Sequence, residues 1–115
     1  MMHKLDVENL KKYINSNDIL IKKLLTSFAT NVPLQVQQLK QAAVDKNAHE
    51  TVEAAHKLKT PFLYFGLDDV ANRLENIEQH YATMDNKVVL AEIDIIFAIG
   101  NDCAAQAKSQ IEKLP

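Results

Sequence analysis

Residues 53–67 read EAAHKLKTPFLYFGL, and their spacing decides the fold. Ala55, Leu58, Phe62 and Phe65 fall at i, i+3, i+7 and i+10, the apolar stripe of one helix face. Gly66 follows directly, where a left-handed C-cap needs a residue without a Cβ. Beyond it Val70, Leu74, Ile77 and Tyr81 mark the inner face of another helix, predicted from Leu67 to Ala82. So short a connection makes the two an antiparallel hairpin.

The pattern extends in both directions. Upstream, Leu20, Leu24, Phe28, Val32, Val36, Leu39 and Ala43 recur at steps of three or four, which predicts a helix from Ile19 to the region of Asp45 to Asn47. Pro33 lies inside it, removing an amide donor and crowding the preceding turn, so a kink near Ala29 to Val32, or a short break, is expected. Asn47 and Glu50 are spaced as a capping box for the hairpin's first helix. Asp6 is placed to cap a short segment, Val7 to Ile14, that closes in the polar cluster Asn15, Ser16, Asn17, Asp18. Downstream of a turn at Met84 to Asn86, Val89, Ile93, Ile96, Ile99 or Gly100, Cys103, Ala107 and Ile111 predict a last long helix. The expected fold is all-α: an up-and-down antiparallel four-helix bundle, with a short extra N-terminal helix as a lid, in one domain over residues 1–115.

Composition agrees and narrows the function. At 115 residues, with 47% hydrophobic and 24% charged residues, the chain suits one packed core. Two Gly and three Pro are few punctuators for a fold of many short strands. A net charge of −2 is no electrostatic footprint for nucleic acid. The most apolar run, Val88 to Ile99, is interrupted by Glu92 and Asp94, so no membrane span is expected. Met1 to Asn9 has no apolar core of a secretory signal, and Cys103, the sole cysteine, has no partner for an internal disulfide. A cytoplasmic setting is the expectation.

His56 stands apart from the core stripe. It lies one position past Ala55, about 100° around the helix, on a face shared with Val52, Glu53, Lys59, Thr60 and Leu63. It precedes Gly66 by ten residues, and Glu78 follows Gly66 by twelve. At about 1.5 Å per residue the two stand roughly 15 and 18 Å from the same turn on neighbouring helices, so they can meet. A carboxylate accepting from Nδ1–H leaves Nε2 unprotonated, outward and nucleophilic. Lys59, one turn on, would set an ammonium beside an anion attached there. Such a set describes a histidine that accepts a phosphoryl group. A cation about 4 Å from that group offers on the order of 1 to 4 kcal/mol per unit charge.

The run AAHKLKTPFLYFG, followed by RLENIE, resembles the histidine-containing phosphotransfer (HPt) domains of multistep phosphorelays. The likeness spans nearly the whole chain, from about Val7 to Leu114. It implies a four-helix bundle with His56 as phosphoryl acceptor, Lys59 as the basic residue on the next turn and Glu78 as the group that bonds the imidazole. It also implies a phosphocarrier with no ATP-dependent kinase activity and no cofactor of its own. The partners implied are a response-regulator receiver domain, which supplies Mg²⁺, and a sensor or hybrid histidine kinase. Val52, Leu63 and Tyr64 are the apolar candidates for the docking patch, and a lone carrier is expected to be a monomer. One departure is visible: Thr60 and Pro61 follow Lys59 where the family usually has a glycine. Thr60 is still small, with a hydroxyl that can bond a phosphoryl group.

Rival readings leave their own signatures. A solvated helix histidine without chemistry would make the chain a helical adaptor that phosphorylated receivers leave unlabelled. Glu53 and His56 also satisfy the Glu-x-x-His spacing of carboxylate-bridged di-iron bundles. That site needs a second such pair, and neither Glu75 nor Glu78 has a histidine three residues on. His49 reads as an i,i+4 partner of Glu53, His3 and His80 as solvent-facing, and Cys103 as a small buried hydrophobe.

Overall fold

A computed structural model describes residues 3–15 and 17–114. Met1, Met2, Ser16 of the polar cluster and Pro115 lie outside them. The helices are α1 (Val7–Leu10), α2 (Asp18–Val44), α3 (Ala48–Tyr64), α4 (Asp68–His80) and α5 (Asn86–Lys113), with one 3₁₀ turn, Tyr81–Thr83, after α4. No strand occurs among the described residues. α2 packs chiefly on α5 and α3, and α3 on α4, as an all-α up-and-down bundle.

Local chemistry sets the helix ends. Asn17 Oδ1 accepts from the amides of Ile19 and Leu20, Asn47 Oδ1 from Glu50, and Asp85 Oδ1 from Lys87. The predicted capping box is half formed, because the Asn47 amide donates to Ala42 O at 2.9 Å instead of to Glu50. That bond, with Lys46 N–H to Ala43 O at 3.1 Å and φ 57° at Lys46, closes α2 in a Schellman turn. α3 ends in the same way: Leu67 N–H donates to Phe62 O at 2.8 Å and Gly66, at φ 75°, to Leu63 O at 3.2 Å. Leu67 is then buried, which fixes the hairpin.

The α3 stripe Ala55, Leu58, Phe62 and Phe65 is buried as predicted, as are Val70, Leu74 and Ile77 of α4, whereas Tyr81 falls in the 3₁₀ turn beyond α4 and is half-buried. Phe28 meets Phe62 and Phe65 edge to face, with ring centroids 5.5 and 5.4 Å apart. Between Ile99 and Gly100 the buried residue is Gly100, where the missing side chain admits Val32, Phe62 and Val36.

Three expectations need correction. α2 is unbroken through Pro33, which removes the short break offered beside a kink, since one lost amide bond is outweighed by burial of Ala29, Val32 and Val36 on either side. At its start the core takes Ile21 and Leu25, leaving Leu20 exposed and Leu24 half-buried, because those are the positions in phase with Phe28 and Val32. The first helix stops at Leu10, not Ile14; residues 11–13 continue as turns. One helical turn is not stable alone, and α1 is held from outside. Asp6 N–H donates to Phe65 O at 2.9 Å, and Asn9 Nδ2 to Leu63 O and Tyr64 O at 2.9 and 3.1 Å. Leu5 and Leu10 are buried. The segment thus caps the α3–α4 turn, as a lid on one end.

Candidate functional site

The hairpin brings His56, Lys59 and Glu78 together. The His56 side chain is 63% exposed, midway along α3, and its Nδ1 lies 2.7 Å from Glu78 Oε2. Glu78 is 21% exposed and ionised, so Nδ1–H is the donor, and the neutral tautomer with this bond has its lone pair on Nε2. The Lys59 ammonium beside Glu78 holds that carboxyl below its usual range; burial opposes this, and the bond to His56 adds to it. The Lys59 ammonium is raised in turn, chiefly by Glu78, against the opposing effect of burial.

In the resting domain Lys59 pairs with carboxylates of α4. Its side chain is only 17% exposed, and Nζ lies 2.6 Å from Glu78 Oε1 and 3.7 Å from Glu75 Oε1. Glu78 Oε1 is buried with no hydrogen bond of acceptable angle, so this contact is a close ion pair. One carboxylate therefore grips the histidine with one oxygen and the lysine with the other.

The remaining candidates lie along α3. Thr60 is exposed one turn from His56, on the rim of a groove of about 200 Å³ between α2 and α3 that Lys57, Pro61, Tyr64 and Gln35 also line. Val52 is half-buried and Leu63 exposed. Tyr64 is half-buried, turned toward the N-terminal segment, where Tyr13 packs on it with centroids 5.1 Å apart. Helix α3 is unbroken at Pro61. Glu53 pairs with Lys57 at 3.0 Å and His49 at 3.2 Å, and among the described residues no three His, Cys, Asp or Glu side chains gather as metal ligands. His3, read as solvent-facing, pairs through Nε2 with Asp69. Burial pushes the Cys103 thiol up to about 11, so it is inert as a nucleophile.

Sequence reading missed Glu75 as part of the site and Tyr13 as a neighbour of Tyr64. The signal for Glu75 was its i,i+3 spacing from Glu78, which puts two carboxylates on the α4 face opposite Lys59.

A model of the Hpt domain family matches residues 23–112, and the chain belongs to that family. No curated protein and no solved structure matches it. Membership brings histidine phosphotransfer in two-component phosphorelays as the general activity, carried out as a phosphocarrier module. Receiver domains and kinases are the partner classes of the family. No helix among the described residues is long and apolar enough to cross a membrane.

Proposed function

We propose that His56 Nε2 is the phosphoryl acceptor of this domain, charged by a receiver-domain aspartyl phosphate or a histidine kinase and discharged to a response regulator. The observation that carries the reading is the exposed ring with its inner nitrogen held 2.7 Å from Glu78. Transfer is in line: the Nε2 lone pair attacks phosphorus, the acyl P–O bond breaks, and the receiver's aspartate leaves as a carboxylate. The ring becomes cationic as the Nε2–P bond forms, and Glu78 at Nδ1–H stabilises that charge. Mg²⁺ comes with the receiver and neutralises charge on its side of the transfer. The domain adds a nucleophile, a cation and a surface, so transfer runs in either direction and needs no ATP here.

The incoming receiver covers Thr60 and the apolar side chains of Val52, Leu63 and Tyr64. A small patch with a polar rim suits a monomeric carrier that serves more than one partner in the cytoplasm. The test is incubation with radiolabelled, phosphorylated receiver domains. Wild type should take acid-labile label; His56→Gln should take none at unchanged thermal stability. A wild type left unlabelled by active donors would remove the proposal.

A further inference from the structure

We propose that Glu75 is a positioning residue that restrains Lys59 and keeps the phosphoryl group on His56 readily transferable; this rests on His56 being the phosphoryl acceptor. Lys59 Nζ lies between two carboxylates one helical turn apart on α4, 2.6 Å from Glu78 and 3.7 Å from Glu75. Glu75 is itself fixed, because Gln79 Nε2 donates to the same Oε1 at 2.9 Å. The two carboxylates have separate work: Glu78 also holds the imidazole, whereas Glu75 touches neither ring nitrogen.

With a neutral imidazole the cluster of Lys59, Glu75 and Glu78 carries a net charge of −1. A phosphoryl group adds close to two further negative charges at Nε2. To meet it, Lys59 must loosen its hold on α4, and Glu75 opposes this twice, by attracting the ammonium and by repelling the phosphoryl oxygens. A carboxylate on the order of 8 Å from a dianion in a wet site changes its retention roughly threefold to tenfold. The device favours a carrier that surrenders its cargo over one that stores it.

The experiment compares wild type, Glu75→Gln and Glu75→Asp. Each is charged in two ways: by a phosphorylated receiver domain, read as the equilibrium ratio of labelled carrier to labelled receiver, and by phosphoramidate, which needs no partner. In the second route the P–N bond of the protonated donor breaks, ammonia leaves and the Nε2–P bond forms; the readout is the rate of phosphohistidine hydrolysis. Glu75→Gln should shift the equilibrium toward the carrier and slow hydrolysis, each about threefold to tenfold, with unchanged melting temperature. Both effects should shrink as salt rises, and Glu75→Asp should restore wild-type behaviour in part. Unchanged or salt-independent values in Glu75→Gln would overturn the role of Glu75 while leaving His56 as acceptor. Labelling by phosphoramidate but not by any receiver would refute the relay reading, and the hydrolysis rates would still judge Glu75. A wild type that phosphoramidate cannot label at His56 overturns both.

Discussion

Replacing Lys59 by Met removes the ammonium and keeps most of the apolar stem, which separates the residue's two jobs. In the resting domain the Lys59–Glu78 pair is close, at 2.6 Å, with the side chains 17% and 21% exposed. Such a partly solvated pair contributes up to about 1 kcal/mol. At about 2.1 cal/mol/K of unfolding entropy per residue, a chain of 115 residues then loses at most about 4 °C of melting temperature. In the phosphorylated domain an ammonium about 5 Å from two negative charges gains about 1.7 kcal/mol even at the dielectric constant of water, and more where solvent is excluded. Part of this is offset by leaving Glu78, so the net effect is on the order of 1 to 2 kcal/mol, a factor of roughly 5 to 30. Lys59→Met should therefore move the transfer equilibrium toward the receiver by that factor, measured by quench and gel separation of labelled carrier and receiver. A lower melting temperature with an unmoved equilibrium would make Lys59 a clamp on Glu78 alone, and refute its passage to the phosphoryl group.

The Glu78 carboxyl is held below its ordinary value of 4.5 in the folded state, so its contribution to stability is present above that pH and lost as pH falls through the lower folded value. Acid titration followed by circular dichroism should show wild type losing stability below about pH 4.5 more steeply than Glu78→Gln; parallel curves would mean the ion pair contributes nothing. Gly100→Ala places a Cβ 3.5 Å from Val32 and 3.7 Å from Phe62, ordinary contact distances. It should stabilise the domain by about 0.5 to 1 kcal/mol through helix propensity, and a melting temperature below wild type would contradict the packing. Gly66→Ala meets φ 75° and Asp6 Cβ at 3.2 Å. It should cost about 1 to 2 kcal/mol in urea unfolding, and a neutral result would deny the left-handed cap.

The hairpin was legible because α3 and α4 each offer one unambiguous stripe and Gly66 marks the turn between them. That made the meeting of His56 with Glu78 a matter of counting from one glycine, and they lie 2.7 Å apart. The start of α2 was less legible, since Ile19, Leu20 and Ile21, then Leu24 and Leu25, are adjacent apolar residues and spacing alone selects no phase. The break offered as one outcome at Pro33 did not form, because core packing holds α2 together on both sides of it. Lys59 was placed on the face it shares with His56, while its resting hold on Glu78 and Glu75 was not anticipated. A long flexible side chain in the resting protein goes to the nearest fixed charge, and Glu75 and Glu78 are closer at hand than solvent. The hold of Asn9 on the carbonyls of Leu63 and Tyr64 is a long-range contact that no local pattern announces.

Which imidazole nitrogen carries phosphorus is read by ³¹P and ¹H–¹⁵N NMR of the phosphorylated domain. With Nδ1 occupied by Glu78, the spectra should show a single phosphohistidine, at Nε2 of His56, absent from His56→Gln. Phosphorus on Nδ1, on another residue, or undiminished in that variant would rule out His56 Nε2 as the acceptor.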